Sequence, residues 1–219
     1  MIRVLIADDH TIVREGLKQI LSDTTDIVVS DEAEDGQGVL DRVAINTYDV
    51  ILLDISMPGR TGLEILKQLR SEHPEVPILI LTMYPETQYA IRALRAGASG
   101  YLMKESTPDE LVKAVRTVSE GRRYVSTSLA ERLAFDLAGN AGRLPHELLS
   151  DREYQVMCRI ASGKTVTEIA EELSLSVKTI STYRSRLLEK MSLKNNAELT
   201  HYAIQNQLVG NHVGNPLAG

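Results

Sequence analysis

Five polar residues stand where apolar runs of this chain end. Asp8 and Asp9 follow IRVLIA (2–7), Asp54 closes VILLD (50–54), Thr82 closes ILILT (78–82) and Lys104 follows GYLM (100–103). Three carboxylates in one crevice repel each other and stay ionised only beside a cation or with protons on some of them. Hard oxygen donors, with no His or Cys read as near them, favour Mg²⁺, which keeps several waters and binds one or two carboxylates plus a phosphate. On a rigid strand end, Asp54 is then a carboxylate nucleophile for a phosphoryl group whose charge the metal, Lys104 and Thr82 disperse. The SMPG stretch (56–59) turns the chain away sharply and leaves backbone groups to face the metal.

Each residue alone has a plainer use. A strand-terminal Asp is commonly a helix N-cap or a turn residue, and Asp8 or Asp9 could cap the helix expected from Thr11. A strand-terminal Lys is commonly a solvated charge. The conjunction argues for chemistry, because ligands of doubly wound sheets bind outside the carboxyl ends of the strands, where all five residues fall.

The elements that position them are legible as a rhythm. β-branched runs at 2–7, 27–30, 50–54, 78–82 and 100–103 alternate with longer segments. TIVREGLKQILS (11–22) carries Ile12, Val13, Leu17, Ile20 and Leu21 at helical spacing, and TGLEILKQLRSEH (61–73) does the same with Leu63, Leu66 and Leu69. Strands and helices alternating in this way predict an α/β domain, a five-stranded parallel sheet doubly wound by helices. The central strands lack period-two alternation, so both faces of the sheet are expected to be covered.

After residue 122 the rhythm stops. Residues 123–148 are expected as a helical linker, with one helix over 128–137 and turn-forming GNAGRLP beyond it. Four helices fit residues 151–162, 165–173, 177–191 and 196–208, an all-α helix-turn-helix domain over 149–209, and 210–219 are expected as a disordered tail. Cys158, the one cysteine, excludes an intramolecular disulfide and reads as a small core residue. No apolar stretch reaches the roughly 20 residues that cross a bilayer, and no signal peptide opens the chain, so membrane insertion is not expected and a cytoplasmic location is.

The net charge of −6 is unevenly spread. Residues 1–124 hold 14 Lys and Arg against 20 Asp and Glu, whereas residues 150–219 hold 8 against 7. Between 178 and 194, Lys178, Arg184, Arg186, Lys190 and Lys194 face only Glu189. TVTEIAEELSLSVKTISTYRSRLLEKM (165–191) reads as a helix, a tight turn N-capped by Ser176, and a basic second helix. Ile169, Ala170 and Leu173 form the inner stripe of the first. Ile180, Leu187, Leu188 and Met191 form that of the second, with Val177 at its entry. Lys178, Ser181, Thr182, Ser185 and Glu189 are left facing outward, flanked by Thr179, Tyr183, Arg184 and Arg186, a surface suited to close approach and to phosphates.

IADDH (6–10), LLDISMPGRTG (53–62), LT (81–82) and GYLMK (100–104) together resemble a two-component response-regulator receiver domain over residues 1–122. The resemblance implies that Asp54 accepts phosphate from a sensor histidine kinase and that Asp8, Asp9, Asp54 and the Ser56 backbone carbonyl hold Mg²⁺. It further implies that Lys104 and Thr82 bind phosphoryl oxygens and that Tyr101 is an aromatic switch turning inward as Thr82 moves. Many receivers have a proline after this lysine, often with a cis peptide, whereas this chain has Glu105, and no cis bond is expected. Residues 149–199, with their LSDRE opening, resemble the output domain of the NarL/FixJ (LuxR-type) family. That likeness implies double-stranded DNA as partner, with Ser181, Thr182 and Ser185 toward base edges and Lys178, Thr179, Tyr183, Arg184 and Arg186 toward the backbone. It also implies a homodimer on activation, and no enzymatic activity beyond the chain's own Mg²⁺-dependent phosphorylation and dephosphorylation. The alternatives are a constitutive DNA-binding dimer that uses the receiver only for pairing, and a signalling adaptor without DNA contact.

Overall fold

The computed structural model describes residues 1–137 and 144–209. The chain forms two compact units, Met1–Asn140 and Ala141–Gly219. The tail expected over 210–219 lies outside the described residues.

In the first unit the strands are β1 (Ile2–Ala7), β2 (Ile27–Ala33), β3 (Val50–Leu53), β4 (Ile78–Thr82) and β5 (Gly100–Met103). Between and after them run the helices α1 (Thr11–Ser22), α2 (Gly36–Ile45), α3 (Gly62–Glu72), α4 (Glu86–Arg95), α5 (Pro108–Ser119) and α6 (Thr127–Leu137). The strands pair in parallel in the order β2-β1-β3-β4-β5. β1 and β3 are therefore neighbours in the middle of the sheet, although β2 lies between them in sequence. That crossover puts the strand-order reversal beside their carboxyl ends, where Asp8 and Asp54 stand. Every residue of β3 and β4 is buried, which is the two-sided cover that their unbroken apolar runs require.

The periodicity of α1 is corrected at one point. Ile12, expected on the inner face, is 84% exposed, and Arg14 is buried with Leu17 and Leu21. Positions 14, 17 and 21 share the inward face, and Arg14 can occupy it because every strong donor it turns inward is met. Its guanidinium donates to the Asp8 carbonyl at 2.8 Å, pairs with Glu32 at 3.1 Å and with Glu34 at 2.6 Å, and reaches the Thr11 hydroxyl.

The segment expected as a linker begins within the first unit. Tyr124 forms a parallel bridge with Gly100, its carbonyl accepting the Tyr101 N–H at 3.2 Å and its N–H donating to the Ser99 carbonyl at 3.0 Å. α6 packs against α4, where the Ser126 hydroxyl donates to Glu86 at 2.5 Å and Leu129 is buried.

The second unit holds a 3₁₀ turn (Pro145–Leu148) and the helices α7 (Asp151–Ala161), α8 (Val166–Glu172), α9 (Val177–Lys190) and α10 (Asn196–Gln205). Ser150 and Thr165 close capping boxes with Glu153 and Glu168, and Ser176 caps α9 by accepting the Thr179 N–H at 3.0 Å. The inner residues Ile169, Ala170, Leu173, Ile180, Leu187, Leu188 and Met191 are buried, as is Cys158. Val177 departs from that stripe and is 47% exposed, because it occupies the first helical turn, ahead of the point where α9 meets its neighbours. No helix among the described residues is long and apolar enough to cross a membrane.

Candidate functional site

The loops after β1, β3 and β5 bring one cation and three carboxylates together. Asp8 and Asp54 are each 2% exposed, and between them lies the Lys104 ammonium, 2.6 Å from Asp8 Oδ2 and 2.8 Å from Asp54 Oδ2. Asp54 Oδ1 is buried with no hydrogen-bond partner among the described residues. A buried carboxylate oxygen without a donor is costly, so the atom marks a place where a positive group is to be received. Burial is the largest influence on the Asp54 carboxyl and pushes its pKa up against the downward pull of Lys104. Burial alone would lower Lys104, but the charges of Asp54 and Asp8 and the hydrogen bonds to them outweigh it and hold the ammonium above its ordinary value.

Asp9 is less buried than its companions, and donor atoms from Asp8, Asp9, His10 and Asp54 all lie within 4.8 Å of one another. These residues fit a divalent cation. The carboxylates are hard donors at close quarters, and Asp54 Oδ1 is buried with no hydrogen-bond partner among the described residues. The expectation that no His stands near is corrected: His10 Nδ1 is 2.8 Å from Asp9 Oδ1 and 3.3 Å from Asp8 Oδ1. The signal was in the IADDH run itself, one residue past the acidic pair. Neither this side chain nor a carboxylate serves the plainer purpose considered for Asp8 and Asp9, since the N-cap of α1 is His10 and its ring makes no capping bond.

Thr82 is fully buried at the end of β4, its hydroxyl oxygen accepting the Tyr84 N–H at 3.4 Å. Tyr101 lies inward, 1% exposed, and its hydroxyl donates to the Tyr84 carbonyl at 2.8 Å. Burial raises its phenol well above the ordinary value. The Ser56 hydroxyl is also buried without a partner among the described residues. The Lys104–Glu105 peptide is trans.

Two supporting residues escaped the reading of the sequence. Arg14 holds the Asp8 carbonyl from beneath. Gly62 lets α3 begin against the Asp54 loop, donating its N–H to the Ile55 carbonyl at 3.0 Å. A Cβ there would come within 2.1 Å of the Asp54 carbonyl oxygen and within 2.8 Å of the Ile55 Cα.

In the second unit α9 presents Lys178, Ser181, Thr182, Ser185 and Arg186 to solvent, with Thr179, Tyr183 and Arg184 partly covered. Arg184 is committed in part to its own fold, donating to Asn196 Oδ1 at 2.7 Å. Thr182 and Ser185 hydroxyls donate to the Lys178 and Ser181 carbonyls at 2.9 Å and 3.1 Å. Among the acids of α8, Glu168 takes the Thr165 N–H and hydroxyl at 2.7 Å each, and Glu172 pairs with Arg159 and Lys164. Their charge is thereby partly offset within the fold. In α10, Leu199 and Ala203 are buried while Ile204 is 49% exposed.

Comparison with known proteins places both units. Residues 4–116 match the response regulator receiver domain, and residues 147–203 match the bacterial regulatory proteins of the luxR family. The response regulator UvrY of Escherichia coli (strain K12) is 39% identical over 209 residues, which are 95% of this chain and 96% of that protein. The response regulator GacA of Pseudomonas protegens is 38% identical over 209 residues, 95% and 98% of the two chains. Among solved structures, RcsB from Salmonella enterica serovar Typhimurium, bound to promoter rprA in the presence of phosphomimetic BeF3-, is similar with a TM-score of 0.63 and 29% identity, covering 92% of this chain and 97% of that one.

Proposed function

Because the chain belongs to the response regulators that join a receiver to a luxR-type domain, we propose that it is a transcription factor taking a phosphoryl group on Asp54 from a sensor histidine kinase. Phosphorylation then shifts receiver pairing and the binding of double-stranded DNA. The observation that carries this reading is the Asp54 carboxylate, anchored on one oxygen by Lys104 at 2.8 Å and left without a partner on the other.

One oxygen of the Asp54 carboxylate is the attacking atom. It forms a bond to phosphorus as the bond to the donor's imidazole nitrogen breaks, and the electron pair leaves with the donor. Lys104 turns from Asp54 toward a phosphoryl oxygen while Asp8 keeps the ammonium in place. The Thr82 hydroxyl gives a further hydrogen bond, and the inward Tyr101 fills the space beside it. Asp8, Asp9, Asp54 and the Ser56 carbonyl would hold Mg²⁺, which when bound offsets the crowded negative charge of carboxylates and phosphoryl group. The chain is in this view no enzyme toward other substrates, only a participant in its own phosphorylation and dephosphorylation. Residues 1–122 carry that chemistry, 149–209 read DNA, and 123–148 join them.

The outward residues of α9 suit a major groove: Ser181, Thr182 and Ser185 toward base edges, with Lys178, Thr179, Tyr183, Arg184 and Arg186 about the backbone. The promoter-bound state of the RcsB relative supports DNA as the partner of this domain. Two such helices on paired half-sites require a homodimer. Substituting Lys178 by Ala is expected to weaken binding to all sequences alike and to reduce the slope of log affinity against log salt by about 1. An unchanged slope would remove Lys178 from the phosphate contacts.

The test is to incubate the full chain with Mg²⁺ and a small acyl phosphate, then to follow intact mass, dimerisation and recovery of genomic DNA beside Asp54→Asn. Wild type should gain one phosphoryl group and shift in both assays, and the variant should do neither. Equal behaviour of the two proteins would end the switch and leave a constitutive reader.

A further inference from the structure

We infer that His10 makes the cation site of this protein a mixed oxygen and nitrogen site, its Nδ1 joining the carboxylates of Asp8, Asp9 and Asp54. The site then takes a borderline first-row ion such as Mn²⁺ or Co²⁺ more tightly than Mg²⁺. This rests on the crevice being a cation site, as proposed above, and adds a ligand to it.

The geometry around the ring is that of a coordination corner. Neighbouring ligands of an octahedral ion with bonds of about 2.1 Å stand about 3.0 Å apart. His10 Nδ1 is 2.8 Å from Asp9 Oδ1 and 3.3 Å from Asp8 Oδ1, so an imidazole nitrogen is already at corner spacing from two carboxylate oxygens. The fourth residue supplies an independent sign of a missing ligand. Asp54 is 2% exposed, its Oδ1 has no partner among the described residues, and one of its carboxylate oxygens lies within 4.8 Å of the other donor atoms. At the N-cap of α1, with extended backbone, the ring leaves the helix N–H groups alone and turns to the acids, with Nδ1 within hydrogen-bond distance of Asp8 Oδ1. The His10 N–H, at 2.9 Å from Asp8 Oδ1, fixes the backbone from which the ring projects.

Chemistry then sets the preference. Mg²⁺ gains little from an imidazole, whereas affinity of nitrogen-containing sites rises from Mn²⁺ through Co²⁺ to Ni²⁺. The competing arrangement is a simple hydrogen bond in which the ring donates from Nδ1 to Asp8 Oδ1 at 3.3 Å, with the ion bound by oxygen alone.

The experiment uses the full chain without a polyhistidine tag. Mn²⁺ alone is titrated and the bound ion examined by pulsed electron paramagnetic resonance for coupling to ¹⁴N, followed by Co²⁺ and Mg²⁺ affinities. Wild type should show nitrogen coupling that His10→Ala abolishes. The variant should lose about tenfold in Co²⁺ affinity while its Mg²⁺ affinity changes less than about twofold. The ring is 61% exposed, so the variant keeps the core intact, and Asp54→Asn should weaken all three ions. Bound Mn²⁺ without nitrogen coupling, together with equal Co²⁺ affinities, would overturn the role of His10 and leave the oxygen site standing. Failure of wild type to bind Mn²⁺ at all would overturn both this inference and the cation site beneath it.

Discussion

Lys104→Ala unfolds at markedly lower denaturant than wild type when divalent cations are chelated, with a loss of about 3–5 kcal/mol expected from breaking a buried ion pair on one side only. The Lys104 side chain is 7% exposed and those of Asp8 and Asp54 are 2% exposed, so solvent screens the pair little. Removing it leaves two carboxylates facing each other in a dry crevice. A divalent cation is the natural replacement, and an ion at 100 times its dissociation constant returns about 2.7 kcal/mol by mass action. The variant is therefore expected to recover much of its stability with added Mn²⁺ or Mg²⁺, and to gain more from it than wild type. Lys104→Met, which keeps the apolar stem, separates charge from packing and should be nearly as unstable. A chelated Lys104→Ala protein within about 1 kcal/mol of wild type would contradict the arrangement.

The same pair predicts how stability responds to pH. The ammonium of Lys104 is held above its ordinary value, so its support is complete at neutral pH and is lost only as pH climbs through the raised folded-state value. Asp54 has the same sign in a lower window. Its carboxyl is raised by burial, so the folded chain binds the proton more tightly than the unfolded one, and stability falls as pH rises from the ordinary carboxylate range through the raised value. Asp54→Asn should flatten that descent, which chemical denaturation across acidic to neutral pH will measure.

Gly62→Ala is the second large effect, roughly 3 kcal/mol of stability together with loss of most phosphoryl uptake. The added methyl would come within 2.1 Å of the Asp54 carbonyl oxygen, and a backbone atom cannot step aside as a side-chain tip can. Either α3 retreats or the strand end carrying Asp54 moves. Gly59 is the instructive control. Its φ is +76° and no atom lies within 4 Å of where a methyl would stand, so Gly59→Ala meets only backbone strain of about 1 kcal/mol. Urea unfolding of the two variants side by side, with intact mass after exposure to a small acyl phosphate, decides the matter. Equal small losses would show that the crowding at Gly62 is relieved locally.

Much of this molecule is legible in its residues because the signals are periodic. Strands whose faces are both covered read as unbroken apolar runs, and β1, β4 and β5 end where those runs end. β2 extends three residues beyond its apolar stretch, through Asp31 to Ala33, because the ladder with β1 continues while its side chains become polar. The polar groups of the crevice stand out for the same reason, as interruptions. What stays hidden is whatever breaks period for a local cause. Arg14 takes a place in a helix interior that hydropathy assigns to its neighbour Ile12, and only its four partners explain it. Val177, at the entry of α9, is apolar like the stripe it precedes but stays 47% exposed. Gly62 resembles any loop glycine until the approach of a carbonyl is known, and His10 resembles a surface residue until its distances are.

The small bridge between Tyr124 and Gly100 has a mechanical consequence. It anchors the departing polypeptide one residue from Tyr101, and the Ser126 to Glu86 hydrogen bond rivets the next turn to α4. There is no slack at that corner. A rotation of the tyrosine ring or a tilt of α4 acts as torque on the start of α6 without first having to straighten a loose tether.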